Sequence, residues 1–136
     1  MAKQYWLVKS EPFKYSWDNF VQEGQTMWNG VRNYAARNNL RNMQIGDQVL
    51  FYHSNEGLCV VGIAEVVTTA YQDPTTEETA WVAVDLKPVK ALKHPVTLKA
   101  IKEEPELAEI SLLRLARLSV HALTPAEFKH IVKMGS

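Results

Sequence analysis

Hydrophobic and polar positions alternate over several short stretches of the chain, and this spacing predicts β-strands. Strands are predicted over 4–8, 48–53, 58–69, 81–86 with a continuation toward Leu92, and 118–123. The stretch 58–69 is apolar almost throughout, which is typical of a central strand. Asn55-Glu56-Gly57 separates two of these stretches and predicts a hairpin turn.

Apolar positions spaced three and four residues apart predict helices between the strands. Ala36, Leu40 and Met43 form a buried stripe in a helix predicted over 32–43. Asn33, Arg37 and Arg41 form a polar stripe on another face of this helix. Further helices are predicted to begin after three capping residues, Ser16, Thr97 and Thr124.

The predicted elements follow the order β-α-α-β-β-β-α-β-α. Consecutive strands joined by tight turns favour an antiparallel, strongly curved sheet. We therefore predict an α+β fold, in which a small and partly closed barrel is surrounded by helices. The chain has 136 residues, of which 46% are hydrophobic, so we expect one domain over 1–136 with a core that needs no metal or disulfide.

Basic and acidic residues balance in this chain, with 15 of each and a formal net charge of zero. A protein that holds a phosphate backbone purely by charge is usually basic. Any binding of nucleic acid is therefore expected to use a local patch and a specific pocket. The segment 31–43 carries three arginines and no acid, and 87–102 carries five lysines and no acid. Taken singly, each segment is expected to be a solvated face.

The sequence also indicates where the protein is expected to reside. Cys59 is the single cysteine and lies in an apolar run, so we expect a buried and inert thiol. Met1-Ala2-Lys3 leads into a strand without the apolar stretch of a signal peptide. Gly62 and Glu65 interrupt the longest apolar run, which is too short to cross a bilayer. We therefore expect a cytoplasmic protein that does not bind a membrane.

Common catalytic and cofactor motifs are missing from the sequence. It contains no glycine-rich phosphate loop, no dinucleotide fingerprint and no Cys/His set at zinc spacing. His53-Ser54 places a base beside a nucleophile, but adjacent strand residues point to opposite faces, so we interpret this pair as structural. We predict no catalytic residue, no cofactor and no metal.

Trp28 has two interpretations from the sequence. It lies between the first two predicted helices, in an expected loop before Asn29-Gly30. Composition alone does not distinguish a core tryptophan from a tryptophan that stacks on a planar ligand. Stacking of a base on an aromatic ring contributes ~1–3 kcal/mol. In the second interpretation, Asn33 would supply the paired donor and acceptor that the edge of a base requires.

Four strings resemble the EVE domain family, in the family's order and across nearly the whole chain. They are K-S-E-P over 9–12, W-N-G-V-R-N-Y-A-A-R-N over 28–38, F-Y-H-S-N over 51–55 and R-L-S-V over 117–120. The resemblance implies a PUA-like fold, a mostly antiparallel pseudo-barrel of about five or six strands with flanking helices. It also implies kinship with YTH and ASCH domains, and binding of modified bases as in the thymocyte nuclear protein family.

The resemblance implies a set of site residues by matching motif. The pocket residues are Lys9, Ser10, Glu11, Trp28, Asn33, Tyr52, His53 and Ser54. The residues for the phosphate backbone are Arg32, Arg37 and Arg117. YTH domains hold a methylated adenine in an aromatic cage, but no tryptophan here matches the second wall of that cage. Trp6, Trp17 and Trp81 are expected in the core, so the sequence favours a general base pocket.

Three hypotheses for the function follow. The leading one is a non-catalytic, monomeric reader of a modified base in DNA or RNA, in which Trp28 stacks on the extruded base. The second is an enzyme that acts on a small nucleoside-like or amide substrate, as ASCH-type relatives do, with Lys9 and Glu11 as acid and base. The third is a protein-interaction module.

Overall fold

A computed structural model describes residues 3–55 and 57–136. Six strands form one sheet: β1 Tyr5–Ser10, β2 Thr26–Trp28, β3 Gln48–His53, β4 Cys59–Gln72, β5 Val82–Thr97 and β6 Val120–Leu123. Five helices surround it: α1 Trp17–Glu23, α2 Tyr34–Asn42, α3 Leu98–Lys102, α4 Ser111–Arg114 and α5 Pro125–Met134, with a 3₁₀ turn at Pro105–Leu107.

Two sequence-based expectations concern residues outside the described part of the chain. Met1 and Ala2 belong to the segment without a signal-peptide pattern, and Glu56 belongs to the predicted hairpin turn. On either side of Glu56, Asn55 and Gly57 both have positive φ angles, of 68° and 75°. None of the described helices has the length and apolar character that crossing a membrane requires.

The sheet has the strand order β2-β5-β4-β3-β1-β6. β1 pairs with β3 in parallel, and every other described pair is antiparallel. The parallel pair is possible because α1, β2 and α2 together form a long crossover between β1 and β3. The predicted α+β class and mostly antiparallel sheet are confirmed. The described strands form an open sheet rather than a closed barrel, because the order ends at β2 and β6.

Alternate residues of the central strands face two separate cores. Trp6 and Val8 of β1 pack in the first core, while Leu7 packs in the second. This alternation follows from the pleat of the strand, which turns successive side chains to opposite faces. The first core includes residues of α1 and α2, namely Trp17, Phe20, Ala36 and Leu40. The second core includes residues of α3, α4 and α5, namely Ile101, Leu112, Phe128 and Ile131.

Local signals set the ends of α1. Ser16 caps the helix by accepting a hydrogen bond from the Asn19 backbone N–H at 3.1 Å. The Asn19 side chain accepts in return from the Ser16 N–H at 3.0 Å, which completes a capping box. Gly24 ends α1 in the left-handed conformation, with φ of 76°, as predicted.

The helix predicted over 32–43 is α2, and it is shorter than predicted. Its apolar stripe of Ala36, Leu40 and Met43 is buried as predicted. The predicted polar stripe is wrong at its first position, because Asn33 precedes the helix as its N-cap. The Asn33 side chain accepts from the Ala36 N–H at 3.0 Å, so it turns toward the helix backbone.

The predicted loop around Trp28 is also wrong. Trp28 ends β2 and pairs with Val84 of β5 in antiparallel register. A strand of three residues is too short for an alternating pattern to reveal it. β2 lies at an edge of the sheet, so Trp28 is fixed by backbone pairing while one side of its strand remains unpaired.

Cys59 lies at the start of β4 and is buried, as the sequence predicts. Burial raises the pKa of its thiol, because a thiolate is poorly solvated there. The protonated thiol is therefore the dominant form at neutral pH, which agrees with the predicted inert character.

Candidate functional site

A cleft of about 600 Å³ lies between the end of β1, the turn before α1 and the segment that follows β2. Its lining combines aromatic, charged and small polar residues with exposed backbone. The lining residues are Lys9, Ser10, Glu11, Lys14, Tyr15, Glu23, Thr26, Met27, Trp28, Asn29, Gly30, Val31, Arg32 and Ser119. Five of the residues implied by the resemblance, Lys9, Ser10, Glu11, Trp28 and Arg32, therefore share this cleft.

Trp28 is the one tryptophan that is partly exposed. Trp6, Trp17 and Trp81 are buried, as predicted. The Trp28 ring lies 5.7 Å from the Phe51 ring at an interplanar angle of 83°, and 6.5 Å from the Tyr15 ring at 73°. These edge-to-face contacts hold the indole without a parallel stack on it. The cleft therefore offers an oriented indole to a planar ligand.

Tyr15 is a second aromatic residue of the cleft that the sequence analysis missed. Its hydroxyl donates a hydrogen bond to the Glu23 carboxylate. Burial, with Glu23 as a further cause, raises the pKa of Tyr15 to about 12, so the phenol remains a donor. Ser10 Oγ donates to the Tyr15 carbonyl oxygen at 2.6 Å and fixes the turn that carries Tyr15.

Asp73 is a buried carboxylate that fixes the backbone beside the cleft, and it is not among the site residues predicted from the sequence. Its Oδ2 accepts hydrogen bonds from the Gly30 N–H at 2.8 Å and from Arg32 at 3.0 Å. Its Oδ1 accepts from the Thr75 N–H at 2.8 Å and the Thr75 hydroxyl at 2.6 Å. The order Asp73-Pro74-Thr75 is typical of a turn in which aspartate accepts hydrogen bonds from the backbone that follows it. This order is the sequence signal from which the role of Asp73 could have been predicted.

The charge state of Asp73 follows from these contacts. Burial by itself raises the pKa of a carboxyl group. Hydrogen bonds from Thr75, Gly30 and Arg32 outweigh burial and hold the pKa of Asp73 well below its usual range. Asp73 is therefore ionised at neutral pH and ties the segment after Trp28 to the connection between β4 and β5. Gly30 meets this carboxylate with φ of 76°, a left-handed conformation that favours glycine.

Two arginines and two aromatic rings lie together beside the cleft and are here called the arginine–aromatic surface: Arg32, Tyr34 and Arg37, together with the buried ring of Trp81. The Arg32 guanidinium lies 5.6 Å from the Trp81 ring centroid, and that of Arg37 lies 4.8 Å from the Tyr34 ring centroid. The Tyr34 and Trp81 rings are 5.0 Å apart. Aromatic faces attract cations, so the rings hold both guanidinium groups in position.

Asn33 and Arg117 do not line the cleft. They lie in a neighbouring shallow groove of about 360 Å³, together with Ala35, Leu115, Ala116 and Leu118. Since the side-chain oxygen of Asn33 caps α2, this residue is not positioned to read a base in the cleft. Asn29 lines the cleft instead and carries the same amide group.

Lys9 and Glu11, the acid and base of the enzyme hypothesis, each have another partner. Lys9 Nζ donates to the Ala116 carbonyl oxygen at 2.7 Å and lies 6.0 Å from the Tyr52 ring centroid. Burial lowers the pKa of Lys9. The Glu11 carboxylate lies 3.3 Å from Lys14 Nζ. The two groups thus make separate contacts rather than a mutual pair.

Tyr52, His53 and Ser54 do not line the cleft either. Tyr52 is buried in the second core, on the other face of the sheet. His53 Nε2 accepts from the Trp17 N–H at 3.1 Å, at the start of α1. Burial lowers the pKa of His53, which keeps the ring neutral and able to accept. The Ser54 N–H donates to the Ser10 carbonyl oxygen at 2.9 Å. His53 and Ser54 therefore support the cleft through neighbouring residues.

Among the described residues, one group has the composition of a metal site. Glu104, Glu106 and His130 bring their ligand atoms within 4.8 Å of one another. His130 Nδ1 lies 2.7 Å from Glu106, and Nε2 lies 3.2 Å from Glu104 without hydrogen-bond geometry. The two carboxylates lie against opposite nitrogens of the ring. The absence of a bound metal stays a prediction.

Comparison with known proteins identifies relatives across almost the whole chain. The family model for the EVE domain matches residues 4–134. Thymocyte nuclear protein 1 of Mus musculus is 34% identical in an alignment that covers 96% of this chain and 73% of that protein.

Solved structures extend the comparison. A crystal structure of a protein from Agrobacterium tumefaciens is 47% identical, has a TM-score of 0.96, and the alignment covers 98% of this chain and 93% of that one. The human THYN1 protein, solved in complex with DNA that contains 5-methylcytosine, is 30% identical with a TM-score of 0.91, and 98% of each chain is covered. By family model, identity and coverage, the chain belongs to the EVE domain family.

Proposed function

We propose that this protein binds nucleic acid that carries a modified base, and that the base lies against Trp28 in the cleft. The observation that carries the proposal is the partly exposed Trp28 within a cleft lined by polar groups. A related human protein has been solved with DNA that contains 5-methylcytosine, which supports DNA as the ligand.

The size and lining of the cleft suit one base. Ligand pockets in proteins measure about 300–1,000 Å³ and combine apolar walls with a few polar groups. In this cleft Trp28 and Tyr15 supply the apolar walls. We assign the edge of the base to the Asn29 amide and the Ser10 hydroxyl, because an amide offers a donor and an acceptor together.

The phosphate backbone is assigned to three arginines around the cleft. Arg32 lines the cleft itself, Arg37 belongs to the arginine–aromatic surface, and Arg117 lies in the neighbouring groove. A guanidinium group can donate two parallel hydrogen bonds to a phosphate. Arg32 is already oriented by Asp73, so it can contact a phosphate without first losing side-chain freedom.

The experiment is a binding titration with two oligonucleotides that differ only in one 5-methylcytosine. The native protein is expected to bind the methylated oligonucleotide more tightly. Trp28→Ala is expected to remove this difference, and Trp28→Phe to retain part of it, because a phenyl ring still stacks. Equal affinity of the native protein for both oligonucleotides would contradict the proposal.

We propose a domain that binds without catalysis. Lys9 and Glu11 each contact another group, which argues against the acid–base pair of the enzyme hypothesis. Incubation of the protein with modified nucleosides and with methylated DNA, followed by mass spectrometry, is expected to leave both unchanged. Formation of a product that increases with protein concentration would favour the enzyme instead.

A further inference from the structure

Phe13 is a large apolar residue that lies in solvent beside the cleft. Its exposed fraction is 70%. Three of its near neighbours in sequence, Glu11, Lys14 and Tyr15, line the cleft. A phenyl ring in water forgoes the free energy that burial would give. What distinguishes Phe13 from other exposed apolar residues, such as Ile45, is its position at the rim of the proposed binding site.

The turn that carries Phe13 is well ordered by hydrogen bonds. The Glu11 carbonyl oxygen accepts from the Lys14 N–H at 3.0 Å and from the Tyr15 N–H at 2.9 Å. Phe13 therefore occupies the third position of the four-residue turn that starts at Glu11. Ser10 Oγ donates across the base of the turn to the Tyr15 carbonyl oxygen. The backbone thus presents the Phe13 ring at the apex of a fixed loop.

Lys14 adds a positive charge next to this ring. Its Nζ lies 5.9 Å from the Phe13 ring centroid and 3.3 Å from the Glu11 carboxylate. The ammonium group is therefore paired within the turn, and the exposed aromatic ring is the feature that matches a duplex, because apolar side chains can insert between stacked bases.

We propose that Phe13 inserts into the base stack of a DNA duplex and fills the space left by the base that enters the cleft. This inference rests on the proposed function and names the residue that makes base extrusion from duplex DNA possible. Extrusion of a base breaks its stacking and pairing contacts. Apolar side chains that insert between base steps replace part of the lost stacking.

The inference separates duplex from single-stranded ligands. A single strand presents its base without loss of pairing, so a residue that fills a gap in a duplex contributes nothing there. Phe13 is therefore required for tight binding of a methylated duplex and not for binding of the methylated single strand. Trp28, in contrast, is required for both.

The test measures the dissociation constants of a duplex and of a single strand with the same 5-methylcytosine. Phe13→Ala is expected to weaken duplex binding about tenfold, as loss of one stacking contact predicts. It is expected to leave single-strand binding unchanged. Phe13→Leu is expected to fall between the native protein and Phe13→Ala, because leucine can still act as a wedge.

Ile45→Ala is the matched control. Ile45 has the same exposed fraction of 70%. It precedes β3, whereas Phe13 follows β1, and these parallel strands place the two residues at opposite ends of the sheet. Ile45→Ala is expected to bind both ligands like the native protein. Because Phe13 is exposed, its variants are also expected to unfold at the native temperature.

Two outcomes would overturn the inference: unchanged duplex binding by Phe13→Ala, or equal weakening of duplex and single-strand binding. Both can occur while the native protein still prefers methylated ligands. They would therefore reject the wedge without rejecting the proposed function. If the native protein shows no preference for methylated ligands, the proposed function itself is rejected.

Discussion

Trp28 and Asp73 contribute to the cleft in different ways. Trp28 supplies contact surface, while the Asp73 carboxylate binds the backbone of Gly30 and the side chain of Arg32. Asp73 is buried and Arg32 is partly exposed, so the pair places one charge inside the protein and one at the rim. Ligand contact and support of the site are therefore separate properties at the residue scale.

Asp73→Asn tests this supporting role. The neutral amide retains the shape of the side chain but replaces one acceptor oxygen with a donor. This donor faces N–H groups or a guanidinium group, which cannot accept a hydrogen bond. We expect a loss of about 2 kcal/mol in the free energy of unfolding, measured with urea, and weaker binding of methylated DNA. Asp85→Asn is the control, because Asp85 is less buried and accepts from Tyr71 at 2.5 Å. Equal losses for the two variants would contradict the role of Asp73.

His121 gives a prediction for pH dependence. This histidine is fully buried and its Nδ1 lies 2.7 Å from Ser111 Oγ. Burial, followed by the charge of Lys9, lowers the pKa of His121 to about 4. An unfolded chain binds a proton at His121 near pH 6.5, so the stability from this residue is complete above that pH and declines toward pH 4.

The pH effect of His121 amounts to roughly 3 kcal/mol across that window. The measurement compares urea unfolding of the native protein and His121→Gln between pH 7 and pH 4.5. The native protein is expected to lose more stability on acidification than the variant. Parallel curves for the two proteins would mean that His121 does not contribute to the pH dependence.

Residue roles could be predicted only as far as motifs reveal them. Lys9, Ser10, Glu11 and Trp28, which the resemblance implies as pocket residues, line one cleft, and their contact with a ligand stays a prediction. Whether Tyr52 faces the cleft could not be predicted, because adjacent strand residues face opposite sides of the sheet and the sequence does not show which side carries the cleft. Asp73 is distant from Gly30 in sequence, so their contact depends on the tertiary fold.

At the scale of elements, α1 packs closely on the sheet through Trp17. The Trp17 ring lies over Gly62 of β4, where an added Cβ would come within 2.5 Å of the indole. Trp17 also meets Phe51 and Phe20 edge to face. Gly62 therefore sets the depth at which α1 packs, and α1 carries Glu23 to the cleft.

Gly62→Ala is expected to displace Trp17 and to lower the free energy of unfolding by about 1–3 kcal/mol. It is also expected to weaken ligand binding, because α1 positions one wall of the cleft. The double variant with Trp17→Leu tests the contact, since a smaller side chain leaves room for the added methyl group. We expect a combined loss smaller than the sum of the single losses. Additive losses would show that the two residues do not interact.

Elements with strong local signals could be predicted, and those that depend on distant pairing could not. α5 begins as predicted, because Thr124 and Glu127 form a capping box with Pro125 at the first helical position. β2 was missed because three residues form no pattern. The parallel pairing of β1 with β3 was missed because it depends on the crossover between them, which local spacing does not encode.

At the scale of the whole molecule, a net charge of zero limits how the protein can attract nucleic acid. A uniform positive field is not available, so affinity must come from the cleft and from nearby arginines. The arginine–aromatic surface places two such charges beside the cleft. The single-domain organisation, the monomeric state and the cytoplasmic location stay predictions.

This charge distribution predicts a weak salt dependence. If three arginines contact phosphates of a duplex, the logarithm of affinity should fall with the logarithm of salt concentration with a slope of about −2.7. Arg117→Ala is expected to reduce the steepness by about one unit. Lys102→Ala is the control, because α3 packs on the other face of the sheet. A much steeper slope, or equal effects of the two variants, would contradict this assignment.

The most direct measurement of the central claim follows the four indole N–H signals by nuclear magnetic resonance. Trp6 and Trp81 donate their indole N–H groups to Asp47 and Glu78, so these signals should be distinct from that of Trp28. On addition of a 5-methylcytosine oligonucleotide, the Trp28 signal is predicted to shift most, and more than with the unmethylated twin. A Trp28 signal that stays unchanged while the methylated oligonucleotide binds would contradict the account.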